Sequence, residues 1–249
     1  MKTAGNTVLI TGGATGIGFS LAKAFLVAGN EVIICGRRED KLKEAKNKLP
    51  MIHYKVCDVS KEKERESLFN WVRSNFKDIN ILVNNAGIQR TIDLKKGTHC
   101  LLDVESEIET NLTAPIHLSA YFIPLLLKQK EAAIVNVSSG LGFVPMAWFP
   151  VYCATKAAVH SFSLSLRHQL RNTSIKIFEI IPPMVDTELD KGARRGRGQQ
   201  NRGIPPAEVA EATLKALENN EYEVAVGMAE GLRMGARNNP EETFQNMNQ

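Results

Sequence analysis

Short apolar runs alternate with longer segments of mixed polarity along most of the chain. The runs around Val8 and Val135 contain few polar residues, which is typical of parallel strands buried on both faces of a sheet. The predicted strands cover residues 7–10, 31–35, 51–57, 80–83, 133–137, 175–181 and 222–226. A first predicted helix ends at Ala28, and the other predicted helices cover residues 39–48, 61–76, 104–128, 152–171 and 206–218. Repeated strand–helix units predict an α/β fold, with helices on both faces of a doubly wound, mostly parallel seven-stranded sheet.

The composition is that of one ordinary globular domain spanning residues 1–249. Of the 249 residues, 43% are hydrophobic and 23% are charged, which allows a single large α/β core. No apolar run is long enough to span a membrane, and no signal peptide precedes the first strand. The cysteines and histidines form no metal-binding motif. We therefore expect a reduced, cytoplasmic protein without a metal site.

Basic charge is concentrated in one stretch. The net charge is +4, but Lys191 to Arg202 contains five basic residues and no acid, so the rest of the chain has a net charge of −1. This distribution argues against a nucleic-acid-binding face. The stretch is either a solvated loop or a site that recruits an anionic substrate or the phosphates of a cofactor.

The first strand leads through a glycine-rich turn into a helix. Gly12, Gly16 and Gly18 would let the backbone approach a pyrophosphate, and the helix N-terminus would supply N–H donors and a positive dipole. A tight turn without a ligand is the alternative. The strand–turn–helix context favours a dinucleotide.

The end of the second predicted strand is where dinucleotide folds recognise the adenosine ribose. Here Gly36 is followed by Arg37 and Arg38, with no acid at this position. Arginine accommodates a 2′-phosphate through charge-assisted hydrogen bonds, so we expect NADP(H) to be favoured over NAD(H). The alternative is that both arginines are merely solvated at a helix start.

Tyr152 and Lys156 lie four residues apart in a largely apolar helical segment. Side chains at this spacing share a helix face, with Cβ atoms about 5–6 Å apart. A fixed cation favours the phenolate, and lowering the pKa of a tyrosine from about 10 to about 7 requires roughly 4 kcal/mol. The pair therefore predicts proton transfer by Tyr152, assisted by Lys156. Taken alone the pattern is weak, and a chance pairing is the alternative.

Other polar residues follow predicted strands, at the edge where a doubly wound sheet binds its ligand. The turn at residues 84–87 follows one strand, and the serine pair at 138–139 follows another. Neighbouring residues at a strand end point in opposite directions, so only one serine can face Tyr152. Asn111 lies in a long predicted helix that Pro115 makes imperfect, and a kink there would free a backbone carbonyl near Asn111.

In this order and spacing, the motifs resemble the short-chain dehydrogenase/reductase family over essentially the whole chain. The motifs are Thr11-Gly12-x-x-x-Gly16-Ile17-Gly18, Asn84-Asn85-Ala86-Gly87, Asn111, Ser139 and Tyr152-x-x-x-Lys156. The segments 30–37, 150–156 and 182–187 are similar to the DltE-type subgroup of oxidoreductases. The resemblance implies a single Rossmann domain and an NAD(P)-dependent oxidoreductase that acts on a small carbonyl or alcohol, as a homodimer or homotetramer.

The resemblance implies four catalytic residues. Tyr152 would be the general acid in carbonyl reduction, and Lys156 would lower its pKa and bind the nicotinamide ribose. Ser139, selected over Ser138 by the family spacing, would hydrogen-bond the carbonyl oxygen. Asn111 would hold a water that completes a proton relay.

The implied cofactor site extends along the C-terminal ends of the strands. Asp58 and Val59 would hold the adenine, and Val185 and Thr187 would clamp the nicotinamide end. Asn84 is expected to tie strands together and not to touch the ligand. The implied cofactor-binding residues are Gly12, Thr15, Gly16, Ile17, Gly18, Arg37, Arg38, Asp58, Val59, Asn85, Ala86, Gly87, Tyr152, Lys156, Pro182, Val185 and Thr187.

Several segments near the implied site have their own expectations. The family places a substrate lid at about 186–206, and the polar tail after Asn238 is expected to be loose. Pro183 stands where the family usually has Gly, so the backbone near the nicotinamide is expected to differ locally. Cys153 is expected to pack and not to be a reactive thiol. Trp148-Phe149 either walls an apolar substrate pocket or simply packs.

Two alternatives to a carbonyl reductase or alcohol dehydrogenase stay open. An epimerase or dehydratase could use the same scaffold, although relatives of that type have a larger C-terminal substrate domain. A non-catalytic NADP-binding sensor is the other alternative, although such proteins tend to lose the tyrosine or the lysine. Nothing in the sequence identifies the substrate.

Overall fold

The computed structural model describes residues 1–101, 104–190 and 203–249. In this part of the chain, seven strands form one sheet in the order β3-β2-β1-β4-β5-β6-β7, with every neighbouring pair parallel. The strands are β1 Thr7–Thr11, β2 Glu31–Gly36, β3 His53–Val56, β4 Ile79–Asn84, β5 Ala132–Val137, β6 Ile175–Ile181 and β7 Glu223–Ala225. The predicted doubly wound, parallel seven-stranded fold is confirmed.

Helices connect the strands and cover both faces of the sheet. The α-helices are α1 Gly16–Val27, α2 Glu39–Lys48, α3 Glu62–Asn75, α4 Val104–Ile108, α5 Ala114–Leu126, α6 Pro150–Gln169, α7 Pro206–Asn219, α8 Met228–Asn238 and α9 Pro240–Met247. Short 3-10 helices occur at Leu94–Leu101, Gly140–Gly142 and Glu188–Asp190. Among the described residues, no helix has the length and apolar character needed to cross a bilayer.

The core has two layers, one on each face of the sheet. Alternation along β1 sends Val8 and Ile10 into one layer and Leu9 into the other, because successive strand residues point to opposite faces. The first layer packs against α1, α2 and α7, and the second against α3, α5 and the C-terminal half of α6. All five residues of β1 are buried, which explains the apolar runs in the sequence.

The structure confirms an imperfect helix over the segment predicted at 104–128, and the irregularity lies at Asn111. The chain forms α4, then a π-helical turn at Glu109–Thr113, then α5, which contains Pro124. A π-helical turn adds a residue to the repeat and changes which side chains face inward. Asn111 lies inside this turn and is buried.

The tail after Asn238, which was expected to be loose, is largely helical. Pro240 begins α9 and is followed by Glu241 and Glu242, a favourable start because proline needs no N–H partner there and acids complement the helix dipole. Asn248 then fastens the chain end: it accepts a hydrogen bond from the N–H of Ala147 at 2.6 Å. The basic stretch Lys191 to Arg202, and with it most of the predicted lid, lies outside the described residues.

Candidate active site

The glycine-rich turn forms a cradle at the start of α1. Gly12 and Gly16 have φ angles of +63° and +55°, which favour glycine. A Cβ on Gly18 would lie 2.2 Å from the carbonyl oxygen of Gly12, so no larger residue fits without a shift. The first turn of α1 contains no acid, and no side-chain hydrogen bond from Thr15 caps it. Its N–H groups are therefore suited to an anion such as a pyrophosphate.

Arg38 extends from the end of β2 towards this turn. Its guanidinium donates to Thr15 Oγ1 at 3.2 Å and to Glu188 Oε2 at 3.1 Å. Arg37 is exposed beside it. Both predicted phosphate-recognition arginines are thus at the strand end next to the glycine cradle, within reach of solvent.

Asp58 and Val59 lie in a loop that is held by hydrogen bonds from Ser60 and Arg65. The Asp58 carboxylate accepts from Ser60, through the backbone N–H at 3.0 Å and the hydroxyl at 2.8 Å. Arg65 is almost fully buried and donates to the Val59 carbonyl at 2.7 Å. A second guanidinium nitrogen lies 3.2 Å from His117 Nδ1. Arg65 therefore supports the loop that contains Val59, and the sequence analysis did not single it out.

The turn after β4 is tied to the end of β1. Thr11 Oγ1 accepts from the N–H groups of Asn85 and Ala86, both at 3.0 Å, and Asn85 Nδ2 donates to the Thr11 carbonyl at 2.9 Å. Asn84 instead donates to Asn136 Oδ1 at 2.9 Å, opposite it on β5. The expectation that Asn84 ties strands together is confirmed.

Lys156 is buried at the centre of the site. Its Nζ donates to the Val137 carbonyl at 2.8 Å and lies 5.6 Å from the centre of the Tyr152 ring. Burial lowers the pKa of Lys156 to about 8, while the nearby Glu179 carboxylate acts in the opposite direction. The predicted pair is therefore assembled in a protected environment, with an ammonium that titrates just above neutral pH.

Asn111 reaches the same place from the π-helical turn. Its amide bonds both backbone groups of Ile88, accepting from the N–H at 2.9 Å and donating to the carbonyl at 2.8 Å. A Cβ on Gly87 would lie at ordinary contact distance, 3.5 Å from Asn111 Oδ1 and 3.7 Å from Lys156 Nζ, so Gly87 faces both groups. The structure thus brings Asn111, Gly87 and Lys156 together.

Thr155 links Asn111 to the tyrosine helix. Its hydroxyl accepts from Asn111 Nδ2 at 3.2 Å and donates to the Tyr152 carbonyl at 2.7 Å, one turn back along α6. Threonine commonly bonds a carbonyl of the preceding turn in a helix. Thr155 was not among the predicted site residues, although its place between Tyr152 and Lys156 was a usable signal.

The two serines after β5 have different partners. Ser138 is buried and donates to the Glu179 carboxylate on β6. Ser139 Oγ accepts from the Leu141 N–H at 3.1 Å and so caps the 3-10 helix that follows. Ser138 thus belongs to the network between β5 and β6, whereas the recorded partner of the Ser139 hydroxyl is the backbone that follows it.

Glu179 is a fully buried acid on β6, close to Lys156. Its second oxygen lies 2.8 Å from His160 Nδ1, and this hydrogen bond raises the pKa of His160. The ligand atoms of Glu179, His160 and Glu223 lie within 4.8 Å of one another, but Ser138 and Arg233 already donate to the two carboxylates. The group is therefore a hydrogen-bonded ion-pair network. An acid inside the apolar run of β6 was the sequence signal for it.

Aromatic and sulfur-containing side chains pack around Tyr152. Phe149, Tyr152 and Cys153 form a buried cluster. Burial raises the pKa of the Cys153 thiol, which confirms the expectation of a packing residue. Of the two preceding aromatics, Phe149 packs in this cluster, while Trp148 is 56% exposed.

The segment after β6 closes over the glycine cradle. The Pro182 carbonyl accepts from the Gly140 N–H at 3.0 Å, and Val185 pairs with Ile204 in a parallel bridge. A Cβ on Gly16 would lie 2.9 Å from Thr187 Cγ2, so the glycine makes room for Thr187. Despite the double proline, the segment still reaches the predicted cofactor site.

Comparison with known proteins identifies the family. The family model described as short chain dehydrogenase matches residues 6–198. The chain is also 54% identical, over 248 residues, to the uncharacterized oxidoreductase DltE of Bacillus subtilis (strain 168), covering 100% of this chain and 98% of that protein. The chain belongs to the short-chain dehydrogenase family. As a short-chain dehydrogenase it is an oxidoreductase.

Solved structures of short-chain dehydrogenases share the fold. A Burkholderia phymatum protein in complex with NAD has a TM-score of 0.88 and 21% identity, and the match covers 100% of this chain and 97% of the other. A Burkholderia cenocepacia protein in complex with NADP has a TM-score of 0.85 and 25% identity, and 99% of each chain is covered. The similarity extends across the sheet and the C-terminal helices alike.

Proposed function

We propose that this short-chain dehydrogenase transfers a hydride between a nicotinamide cofactor, preferentially NADP(H), and a small carbonyl or alcohol, with Tyr152 as general acid or base. The observation behind this proposal is the buried Lys156 ammonium beside the Tyr152 ring, at the C-terminal ends of the central strands. The nicotinamide, when bound, supplies the hydride chemistry. The chain supplies the binding surface, the orientation and the proton.

The proton chemistry depends on the charge of Lys156. A cation near a phenol favours the phenolate. The ammonium would therefore help Tyr152 to donate its proton to the oxygen of the carbonyl that is being reduced. With a pKa of about 8, Lys156 is mostly charged at neutral pH and loses its charge above that value. The nearby Glu179 carboxylate favours the charged form of Lys156, and the buried Val137 carbonyl accepts a hydrogen bond that holds Lys156 Nζ in place.

Asn111 and Thr155 would position the tyrosine and its proton supply. The amide of Asn111 is fixed by Ile88, and its Nδ2 bonds Thr155, which in turn bonds the turn of α6 that presents Tyr152. The π-helical turn is what places Asn111 against α6. We propose that this arrangement holds a water which passes protons towards Tyr152. Ser139 would stabilise the developing charge on the carbonyl oxygen.

The residues that would hold the cofactor fit a phosphorylated dinucleotide. The glycine cradle and the start of α1 suit the pyrophosphate, and Thr187 covers the same turn. Arg38, next to Thr15, suits a 2′-phosphate. The NADP complex of the Burkholderia cenocepacia relative, at 25% identity, supports the same choice.

A turnover screen tests the proposal. Purified protein would be incubated with NADPH or NADH and a panel of aldehydes and ketones, and with the oxidised cofactors and alcohols. We expect cofactor oxidation by at least one carbonyl, faster with NADPH. Tight NADPH binding without turnover of any panel member would favour the sensor, and substrate conversion without net cofactor change would favour an epimerase or dehydratase.

Removing both arginines after β2 is expected to weaken use of NADPH selectively. The double variant Arg37→Ala/Arg38→Ala should lower kcat/KM for NADPH by about 10- to 100-fold, because hydrogen bonds to charged groups contribute about 1.5–3 kcal/mol. Use of NADH should change little, since it has no 2′-phosphate. The exposed Arg73→Ala on α3 is the matched control. Equal losses with both cofactors would contradict this role.

A further inference from the structure

Three titratable side chains follow one another along one face of α6. Tyr152, Lys156 and His160 are spaced four residues apart, so each lies about one helix turn beyond the last. The first two belong to the site described above, and His160 lies one turn further from it. The His160 side chain is 25% exposed, while Lys156 is buried. A proton on His160 therefore has access to solvent that a proton on Lys156 lacks.

One buried carboxylate lies next to two of these side chains. Glu179 on β6 has its Oε2 atom 2.8 Å from His160 Nδ1, and its Oε1 atom accepts from the Ser138 hydroxyl. Both oxygens are thus held in place inside the protein, where Glu179 is fully buried. Burial lowers the pKa of Lys156, and the charge of Glu179 acts in the opposite direction. The hydrogen bond with Glu179 raises the pKa of His160.

The buried ammonium of Lys156 needs such a counter-charge. Its Nζ donates to the Val137 carbonyl, which is a neutral acceptor. A buried cation without a nearby acid loses its proton instead of staying charged. Glu179 is the acid whose charge acts on Lys156. The charge beside Tyr152 is therefore tied to the ionisation of Glu179.

The other charged groups around His160 have partners of their own. Glu223 on β7 accepts from Arg233 on α8 at 2.7 Å. Arg167, further along α6, donates to backbone carbonyls of β6 and of the segment before β7. The charges of Glu223 and Arg167 act on the pKa of His160 in opposite directions, and both effects are smaller than that of the Glu179 hydrogen bond. The carboxylate of Glu179 therefore faces the two cations of α6.

We propose that Lys156 and His160 share Glu179 as one buried counter-charge. Glu179 is then a positioning residue that acts on Tyr152 through Lys156, and the proton on His160 regulates this effect. The inference rests on the proposed function and adds the regulation of the same site. While His160 carries a proton, its cation neutralises much of the Glu179 charge. As pH rises, loss of the His160 proton leaves the full charge of Glu179 to Lys156, which helps Lys156 to keep its own proton.

The pH dependence of carbonyl reduction tests the role of Glu179. We would measure kcat/KM from pH 6 to pH 10, with NADPH and the aldehyde that reacts fastest in the turnover screen. Activity should fall at high pH, where Lys156 loses its charge. Glu179→Gln keeps the shape of the side chain but not the charge that raises the pKa of Lys156. The fall should therefore move to lower pH by about one unit, since a nearby opposite charge shifts a pKa by about 1–3 units. Glu223→Gln, in the same network but paired with Arg233, is the matched control and should keep the wild-type profile.

Nuclear magnetic resonance of the histidine rings tests the sharing without any substrate. The chain has five histidines, and His160→Gln identifies the signal of His160. Its pKa in the wild type should lie above the ordinary value of 6.5. This pKa should fall in Glu179→Gln, which removes the carboxylate, and rise in Lys156→Met, which removes the competing cation. Lys176→Met is the matched control, because Lys176 also lies on β6 but pairs with Glu131, and it should leave His160 unchanged.

The outcomes separate the inference from the function it rests on. A His160 pKa that is the same in Lys156→Met and the wild type would overturn the shared counter-charge, and these two proteins decide the point even if Glu179→Gln fails to fold. A Glu179→Gln protein that loses activity equally at every pH would have a structural defect only, which also overturns the inference. If no carbonyl is reduced with either cofactor, the proposed function fails, while the His160 titrations still decide whether the carboxylate is shared.

Discussion

Tyr152→Phe is expected to lower kcat for carbonyl reduction by about 10²- to 10⁴-fold, the usual contribution of a positioned general acid. The replacement removes one hydroxyl from a ring that is packed with Phe149 and Cys153, so the buried cluster should keep its shape. Lys156 should stay anchored on Val137, because its hydrogen bond does not involve the tyrosine. The loss should therefore appear in turnover far more than in the affinity for NADPH.

Tyr121→Phe is the matched control for this experiment. Tyr121 lies on α5 and stacks on Phe69 at 5.6 Å between ring centres, away from Lys156 and Ser139. Its variant should keep wild-type turnover. Single-turnover rates of NADPH oxidation, measured with the same aldehyde, compare the two variants. A Tyr152→Phe protein within tenfold of the wild type would contradict an acid–base role for the phenol.

The sequence predicted best those parts of the protein whose conformation is determined by residues close together along the chain. The glycine turn requires glycine at Gly12, Gly16 and Gly18 because of φ angles and close approaches, and both are visible in the spacing. Tyr152 and Lys156 lie one turn apart on the same helix, as their spacing predicted. The seven parallel strands follow from apolar runs buried on both faces.

The parts that were missed depend on contacts between distant segments. Helix α9 has no fully buried residue and is attached by Asn248 to a loop about one hundred residues earlier in the chain. The acids Glu105, Glu107 and Glu109 look alike in the sequence, yet only Glu107 is fully buried. The π-helical turn that follows interrupts the helical repeat, so periodicity drawn through it could not assign the inward face.

Glu107 is a buried carboxyl group next to the tyrosine helix. Burial raises the pKa of Glu107 to about 7, while the charge of Arg90 and a hydrogen bond from its backbone oppose the rise. It is close enough to Cys153 for its charge to raise the pKa of that thiol. The folded protein therefore keeps a proton on Glu107 that the unfolded chain releases at a lower pH.

Glu107→Gln is expected to stabilise the protein above pH 7 and to change little near pH 4.5. Between the ordinary pKa of 4.5 and the folded value of about 7, the folded state binds more protons than the unfolded state, so the wild type loses stability as pH rises. At about 1.4 kcal/mol per pKa unit, the loss of folding free energy between low and high pH is about 3 kcal/mol, and the uncharged glutamine removes it.

Urea unfolding of the cofactor-free protein at pH 5 and pH 8, at one protein concentration, measures the change. Glu105→Gln, exposed on the same helix, should show no such pH dependence. If the two variants gained equally at pH 8, the buried carboxyl group would not be the cause.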